Sequence, residues 1–316
     1  MNRIRCIDNK DMNNTMEEKY LSGIVCAVIT PMFNKGKEID ELSLKRVVNF
    51  LINAGIHGLF IAGTNGECLL LNREERKYLT KIVSDEASGK IPVIIHTGAL
   101  SLRETLSLTE DAVMMGANGV AVVIPPFFRL DSQSLFEYYD EIASSFKNTG
   151  IYIYNIPSYS GNDISIRVIR DLFERNENFV GIKYSHTDLI QLHKYINEIP
   201  HCDVLIGCDR LLIPALHLGA KGMVSGNVVL YPELFVDFYN NFKQGRIQNM
   251  MGLERKIFQL DDLLSSIPSI SAYKFILKEK GIISDDAVRS PLRSLTEEEK
   301  MKIKIEMNKL KEEDRV

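Results

Sequence analysis

Short apolar segments alternate with longer amphipathic segments through most of this chain, and this alternation restricts the possible folds more than any other sequence feature. Residues 119–124 are apolar or glycine at every position, which is typical of a parallel strand buried on both faces. Leu44, Val47, Val48 and Leu51 instead follow the spacing of one helix face. We count about eight strand-then-helix units in roughly 220 residues, the size expected of a (β/α)8 TIM barrel.

The predicted units can be placed along the chain. The predicted strands cover residues 23–30, 58–62, 93–96, 119–124, 151–155, 180–184, 203–207 and 223–225. The predicted helices between and after them cover residues 44–52, 72–88, 101–115, 134–146, 164–173, 188–199, 211–218 and 234–242. Gly55, Gly116 and Gly219 each follow a helix and precede a strand, as a glycine in a left-handed helix cap does.

An open, doubly wound sheet is the competing fold for such an alternation. That fold usually carries a glycine-rich dinucleotide fingerprint after its first strand. Residues 26–31 contain no glycine, which favours the barrel.

The alternation stops near residue 245, and this divides the chain into three regions. Residues 1–20 form a polar tail, which we expect to be flexible, and residues 21–245 form the barrel that we expect to carry the active site. Residues 246–316 are predicted to form a helical region packed against the barrel. Thr296 and Glu299 have the spacing of a helix cap before the last helix of that region.

Charge and cysteine content exclude several classes of protein. Lysine and arginine number 38 against 42 aspartate and glutamate residues, a net charge of −4, so no nucleic-acid or membrane-surface partner is indicated. The five cysteines are scattered and lack Cys-x-x-Cys spacing, which argues against a disulfide framework and against structural zinc. The N-terminus has no apolar signal-peptide core. We expect a reducing, cytoplasmic compartment.

Lys183 is the first candidate catalytic residue, because it lies inside the apolar segment 180–184 at a predicted strand end. Active sites of such barrels lie where strands end and βα loops begin. Burial disfavours the ammonium form of a lysine and favours the neutral, nucleophilic amine. The alternative is a lysine that reaches solvent or pairs with a carboxylate.

Two further segments and one histidine lie at predicted strand ends. Residues 63–67 read Gly-Thr-Asn-Gly-Glu, which suits either a loop whose N–H groups bind an anion or a plain turn. Tyr154 lies at the mouth end of its strand, as a catalytic or a core tyrosine. His96 has no second histidine at ligand spacing, so we interpret it as a hydrogen-bonded lining residue and predict no metal site.

Three motifs together resemble the signature of the dihydrodipicolinate synthase / N-acetylneuraminate lyase superfamily. They are Gly-Thr-Asn-Gly-Glu at residues 63–67, Tyr-Asn-Ile-Pro at residues 154–157 and Gly-Ile-Lys at residues 181–183. The similarity runs from about residue 23 to residue 293, with the motifs in the expected order and spacing. In character the chain is most similar to 2-keto-3-deoxygluconate aldolases.

The resemblance implies a class I lyase or aldolase that needs neither metal nor other cofactor. It implies that Lys183 forms a Schiff base with pyruvate or another 2-keto acid, and that Tyr154 shuttles protons. The Thr64 hydroxyl would orient Tyr154, while the loop from Gly63 through Asn65 would bind the carboxylate through backbone amides. The family's usual assembly, a homotetramer, is expected here.

Departures from the family pattern bear on the substrate. In dihydrodipicolinate synthases an arginine follows the serine equivalent to Ser158, whereas this chain has Tyr159. Phe127 and Phe128 align with the position of a relay tyrosine and have no hydroxyl. Asn65 replaces a second threonine. These differences count against the synthase reaction, condensation of pyruvate with aspartate semialdehyde, which stays the nearest alternative.

The resemblance to the sugar-acid branch of the family determines which substrate we predict. N-acetylneuraminate lyases carry an Asp-Glu pair after the seventh strand, and this chain has Asp209 and Arg210, which counts against sialic acid. We predict a 2-keto-3-deoxy sugar acid that is cleaved to pyruvate and an aldehyde. Tyr159, Asp209 and Ser225 could bind its hydroxyls, with Gly207 in the same group of loops. Arg210 could meet a phosphate or carboxylate, or form a surface salt bridge.

Two hypotheses from other classes stay open on the sequence alone. One is a non-catalytic barrel that binds a 2-keto acid, although such a barrel has no need of a buried amine. The other is a barrel enzyme that works through a phosphate site or a metal. The loops at residues 207–209 and 225–227 include one glycine turn that could hold a phosphate.

Overall fold

The computed structural model of the chain describes residues 20–313, so the predicted tail lies outside the described residues except for Tyr20. Within that range eight parallel strands close into a barrel, as predicted from the alternation. The strands, in chain order, are β1 (Gly23–Ala27), β2 (Met32–Phe33), β3 (Glu38–Ile39), β4 (Gly58–Ile61), β5 (Val93–His96), β6 (Gly119–Val123), β7 (Gly150–Asn155), β8 (Phe179–Tyr184), β9 (Asp203–Ile206) and β10 (Gly222–Ser225). Their order around the barrel is β1-β10-β9-β8-β7-β6-β5-β4.

The first strand is the one place where the predicted bounds differ clearly from the structure. We predicted residues 23–30, but β1 ends at Ala27, and Thr30 has left the barrel to donate a hydrogen bond to the carbonyl of Gly66, 2.8 Å away. The antiparallel hairpin of β2 and β3 follows and was not predicted. Strands of two residues are too short to show a period in the sequence.

Helices alternate with the barrel strands, and the longer ones pack on the outer side of the barrel. They are α1 (Glu41–Asn53), α2 (Arg73–Ala87), α3 (Leu102–Met114), α4 (Ser132–Ser145), α5 (Pro157–Ser160), α6 (Ile166–Arg175), α7 (Leu189–Glu198), α8 (Leu212–Leu218) and α9 (Pro232–Lys243). Three more follow the barrel: α10 (Ile247–Ser265), α11 (Ser269–Glu279) and α12 (Glu297–Glu313). None of the described helices is both long and apolar enough to cross a lipid bilayer.

Local sequence explains where these helices begin and end. Short polar side chains accept hydrogen bonds from the free N–H groups of the first turn in seven of the described helices. These caps are Asp40, Asn72, Ser101, Asp131, Ser165, Asp188 and the predicted Thr296. Gly55, Gly116 and Gly219 have φ values of +80°, +89° and +105°, so each provides the predicted left-handed turn into the next strand.

Strand alternation divides the buried side chains into two layers. Ile24 and Cys26 of β1 face the helices, whereas Val25 and Ala27 face the barrel interior. The interior layer also holds both tyrosines of β7. The hydroxyl of Tyr152 accepts a hydrogen bond from the N–H of Leu21, at the end where strands begin, so this tyrosine belongs to the closed end. The opposite end, where strands finish, is free to form a site.

Candidate active site

The pairing of β7 with β8 brings Lys183 beside Tyr154. The two residues are direct partners in the register of these strands, so their side chains project to the same side at the carboxyl end of the barrel. Lys183 Nζ lies 4.0 Å from the centroid of the Tyr154 ring and 3.9 Å from that of Phe60. Sequence analysis missed Phe60, although its place in β4 makes it an inward-facing residue.

The Lys183 amine is buried without a compensating charge. The side chain is 4% exposed, and no carboxylate of the described residues lies within ion-pair distance of it. Loss of hydration lowers the pKa of Lys183 to about 7. The faces of the Phe60 and Tyr154 rings attract an ammonium, but this attraction is weak compared with the hydration that the buried amine has lost. A large fraction of the lysine is therefore a neutral amine at neutral pH.

Tyr154 makes contact with the loop of residues 63–67 through its hydroxyl. That hydroxyl lies 3.2 Å from the hydroxyl of Thr64, within hydrogen-bond distance. Burial raises the pKa of Tyr154 to about 12, with the Thr64 hydrogen bond acting in the opposite direction. Tyr154 is thus protonated at rest and positioned as a proton donor next to the amine.

The loop that carries Thr64 is a tight turn with free donors. Gly66 and Glu67 donate back to the carbonyls of Gly63 and Thr64, at 3.1 Å each. The N–H groups of Thr64 and Asn65 donate to no residue within the described part of the chain. A Cβ on Gly63 would lie 2.7 Å from the Phe60 ring, so only glycine fits there. Two adjacent unpaired N–H groups form a small anion site.

Most predicted site residues line one cavity of about 620 Å³. The predicted residues that line it are Thr64, Asn65, Tyr154, Tyr159, Lys183, Gly207, Asp209 and Ser225. Gly63 does not line it and acts through the packing of Phe60. The N–H of Gly207 donates to the Tyr184 carbonyl at 2.7 Å, so it is not free to bind a phosphate.

Asp209 lines the same cavity and is almost fully buried, at 7% exposure. Its Oδ2 accepts hydrogen bonds from Ser225 Oγ at 2.9 Å and Asn227 Nδ2 at 2.6 Å. Tyr273 donates to Asn227 Oδ1 at 2.8 Å and completes the network. Burial raises the pKa of Asp209 to about 7, and the charge of Asp261 adds to the effect.

The C-terminal helices contribute directly to the cavity, which sequence analysis missed. Asp261 of α10 and Tyr273 of α11 both line it. We predicted this region only as helices packed against the barrel, because its residues carry no motif. Other polar lining residues that were not predicted are Ser158, Ser185, His186, Thr187, Asn227, Ser265 and Ser269.

Arg210 forms the surface salt bridge that was one of its two sequence interpretations. Its Nε lies 2.7 Å from Asp261 Oδ2, and its Nη2 contacts the carboxylate of Asp262. Both aspartates belong to α10. The charged end of Arg210 is therefore held against this helix.

His96 is the hydrogen-bonded residue that we predicted. Its Nδ1 lies 2.9 Å from the carbonyl oxygen of Ala62, and the side chain is 1% exposed. Burial, together with the nearby Arg76 charge, holds the pKa of His96 well below its usual range. The neutral ring packs edge-on against Tyr154, with 5.8 Å between ring centroids.

A second buried lysine lies behind the loop. Lys274 of α11 has 0% side-chain exposure, and its Nζ is 2.5 Å from Glu67 Oε1 and 2.7 Å from the Ala287 carbonyl oxygen. Glu67 Oε2 accepts a hydrogen bond from the N–H of Arg289 at 2.8 Å. Glu67 itself has a left-handed backbone, with φ +60°. The carboxylate thus links the Thr64 loop to the C-terminal region.

Comparison with known proteins assigns the chain to a family. Its sequence matches the dihydrodipicolinate synthetase family over residues 20–310. The chain belongs to this family. A 4-hydroxy-tetrahydrodipicolinate synthase of Methanopyrus kandleri is 32% identical over 291 residues, covering 92% of this chain and 96% of that protein. The putative 2-dehydro-3-deoxy-D-gluconate aldolase YagE of Escherichia coli is 28% identical over 300 residues, covering 93% and 99%.

Solved structures agree with this assignment. The crystal structure of YagE of the dihydrodipicolinate synthetase family, in complex with pyruvate, superposes with a TM-score of 0.87 at 27% identity, covering 92% of this chain and 98% of that one. A dihydrodipicolinate synthase of Aquifex aeolicus gives a TM-score of 0.87 at 26% identity, with coverage of 92% and 98%. The chain is a class I pyruvate-dependent lyase or aldolase, as its family membership requires, and the non-catalytic hypothesis is set aside.

Proposed function

We propose that this enzyme cleaves a 2-keto-3-deoxy sugar acid to pyruvate and an aldehyde through a Schiff base on Lys183. The observation that carries the proposal is the Lys183 amine, buried in the cavity without a carboxylate partner among the described residues and 4.0 Å from the centroid of the Tyr154 ring. An amine with a pKa of about 7 is nucleophilic at neutral pH without help from another base.

The first half of the reaction forms the covalent intermediate. Lys183 Nζ attacks the C2 carbonyl carbon of the 2-keto acid, and one proton moves from the attacking nitrogen to the carbonyl oxygen to give a neutral carbinolamine. Tyr154 donates a second proton to that hydroxyl, which leaves as water and yields the iminium. Thr64 stays hydrogen-bonded to Tyr154 and keeps its hydroxyl oriented toward the reacting carbon.

The second half breaks the carbon–carbon bond. The C4 hydroxyl gives its proton to the Tyr154 oxygen, the C3–C4 bond breaks, and its electron pair flows into the iminium to form an enamine. The C4 fragment leaves as the aldehyde. A proton then adds to C3, and water hydrolyses the new iminium to release pyruvate and regenerate Lys183. The iminium acts as the electron sink, so no free carbanion is formed.

The carboxylate and the hydroxyl chain of the substrate have separate partners in this proposal. The Thr64 and Asn65 N–H groups bind the carboxylate, because they are adjacent donors without partners in the described chain. Asp209, Ser225 and Tyr159 line the same cavity and bind the hydroxyls. Gly207 also lines this cavity and cannot carry a side chain, since a Cβ there would lie 2.0 Å from Ser185 Oγ.

The polar character of the cavity favours a sugar acid over aspartate semialdehyde. An aspartate-semialdehyde site needs a cation for the carboxylate of the aldehyde, and position 159 carries tyrosine instead of arginine. Phe127 and Phe128 are 85% and 69% exposed and do not line the cavity. They supply no hydroxyl for a proton relay.

A trapping experiment tests the proposed chemistry directly. The protein is incubated with pyruvate, reduced with borohydride and digested, and the adduct is mapped by mass spectrometry. We expect the adduct on Lys183, and none in Lys183→Ala, while Lys221→Ala, which changes a half-exposed lysine, still forms it. An intact, folded protein that forms no adduct with pyruvate contradicts the Schiff-base mechanism.

A substrate panel then separates the two candidate reactions. Pyruvate release is measured from 2-keto-3-deoxygluconate and from N-acetylneuraminate, and condensation is measured with pyruvate and aspartate semialdehyde. Faster condensation of aspartate semialdehyde than cleavage of any sugar acid would assign the synthase reaction instead. The same assays in the presence of a chelator test our expectation that the reaction uses no metal or other cofactor.

Assembly and location complete the proposal. We expect the homotetramer that is usual in the family, to be checked by sedimentation. We also expect a cytoplasmic enzyme, in line with free thiols at Cys26, Cys68, Cys202 and Cys208. Cell fractionation tests the location.

A further inference from the structure

We propose that the cavity accepts only an uncharged aldehyde half, so that a neutral polyhydroxyl chain is cleaved and one ending in phosphate or a second carboxylate is rejected. This inference rests on the proposed function, because it concerns the end of the substrate farthest from Lys183. It follows from the charges on the cavity wall, which the sequence alone left open at Arg210.

Arg210 is the first part of the evidence, because it is the cation that a terminal phosphate would use. Its guanidinium is held by two carboxylates, Asp261 and Asp262, through separate nitrogen atoms. A phosphate that used the same two nitrogen atoms would have to displace both carboxylates. Each guanidinium–carboxylate bond of this kind is charge-assisted and stronger than a neutral hydrogen bond. Arg210 is not itself among the described residues that line the cavity.

The described residues that do line the cavity include more carboxylates than basic side chains. Asp209 and Asp261 both face it. Lys183 is the only lysine or arginine among the described lining residues, and its amine becomes part of the Schiff base. An anionic group beside these residues would lie near two carboxylates, and the Arg210 guanidinium that pairs with Asp261 is already shared with Asp262.

The hydrogen bonds of Asp209 also favour a hydroxyl. Its Oδ2 is occupied by Ser225 and Asn227, whereas Oδ1 accepts from no residue that the structure describes. An acceptor of this kind needs a donor from the substrate. A sugar hydroxyl can donate, but a phosphate ester dianion offers only acceptor oxygens. Charge and hydrogen-bonding capacity therefore select for the same substrate class.

The test compares the binding of two 2-keto acids that differ only in the terminal group. We would titrate 2-keto-3-deoxygluconate and its 6-phosphate and measure the fraction of Lys183 trapped by borohydride, at pH 8, where Asp209 is mostly ionised. We expect half-saturation by the phosphate to need at least about tenfold more compound, the size of effect that like-charge contact produces. The trapped adduct is identified by its mass, so only Lys183 that carries the intact 2-keto acid counts as binding, and adducts of the pyruvate formed by cleavage are left out.

Removing the two carboxylates that bind Arg210 should reduce the preference for the neutral compound over the phosphate. In Asp261→Asn/Asp262→Asn the guanidinium loses both charged partners, and we expect the preference for the neutral compound to shrink several-fold. Asp171→Asn/Asp237→Asn removes two exposed aspartates that lie outside the cavity lining, and should leave the preference unchanged. A change of equal size in both double variants would assign the effect to net charge and overturn the role given to this wall.

The outcomes separate this inference from the proposed function. A protein that traps pyruvate on Lys183 but binds the phosphate as tightly as the neutral compound overturns the inference alone. A protein that traps no pyruvate on Lys183 overturns both.

Discussion

Two lysines are buried in the described part of this enzyme, and their surroundings differ in one respect that decides what each can do. Lys183 has aromatic rings around its amine and no carboxylate within ion-pair distance among the described residues. Lys274 has the carboxylate of Glu67 at 2.5 Å and a carbonyl oxygen at 2.7 Å. Burial lowers the pKa of both amines, but the Glu67 charge opposes that effect only at Lys274. An unpaired buried amine is destabilising and reactive, whereas a paired one is structural.

Replacing each lysine by methionine, which keeps most of the volume, is the strongest test of this difference. In Lys183→Met we expect turnover and pyruvate trapping to fall to background, because the nucleophile is gone. The melting temperature should not fall, since the substitution removes an unpaired buried amine. Lys221→Met serves as the control for losing a lysine at the surface. Residual turnover, or a large loss of stability, would mean that Lys183 is not the unpaired nucleophile.

Lys274→Met should instead lower the stability of the protein. The substitution leaves the Glu67 carboxylate buried without its ammonium partner, so we expect the free energy of unfolding to fall by about 3–5 kcal/mol. Chemical denaturation measures this loss. Lys278→Met changes a partly exposed lysine on the same helix and should cost at most about 1 kcal/mol.

A double variant checks that the loss in Lys274→Met comes from the pair. In Glu67→Gln/Lys274→Met no charge is left unpaired at this position. We expect this protein to be more stable than Lys274→Met alone. If adding Glu67→Gln makes the protein less stable still, the two residues do not act as a pair.

Tyr154→Phe tests the second difference between the two lysines, which is that only Lys183 lies beside a tyrosine expected to transfer protons. The hydroxyl that would deliver protons to the intermediate is lost, so we expect turnover to slow by about a hundredfold or more. The ring remains packed on the lysine, so the melting temperature should change little. Tyr184→Phe, at the end of the neighbouring strand, is the matched control. A loss of only a few-fold would move the acid–base role to another group.

The pH dependence of trapping gives the smallest expected effect and sharpens the comparison further. A protonated amine has no lone pair, so the rate of adduct formation should fall about tenfold for each pH unit below the Lys183 pKa of about 7. Above pH 8 the rate should level off. For a solvent-exposed lysine analogue, with a pKa near 10.4, the rate of adduct formation should instead continue to rise through pH 9. An inflection near 10 in the protein would show that Lys183 is not desolvated in solution.

The sequence predicts one of these two lysines and not the other, for a physical reason. Lys183 lies within an apolar strand, so its burial and its place at the barrel mouth follow from local pattern. Lys274 lies in a helix whose spacing also fits a surface residue. Its partner Glu67 is 207 residues away, and only the packing of α11 on the loop joins them.

The same limit applies to the rest of the fold and the site. Eight strands, most helices and the loop of Thr64 follow from periodicity, caps and turns, which are properties of neighbouring residues. Asp261 and Tyr273 reach the cavity from helices that lie outside the alternation, and nothing nearby in the sequence marks them. Phe60 is an intermediate case, since strand alternation directs it inward but does not name its contact with Lys183.

The link from Glu67 to Lys274 and Arg289 also has a consequence for biosynthesis. All eight strands, and both Lys183 and Tyr154, are translated before α11 exists. Until residue 289 has left the ribosome, the nascent barrel lacks the groups that hold the Glu67 side of the substrate loop in place. The Glu67 side of the catalytic loop is thus fixed only after all eight barrel strands have been translated.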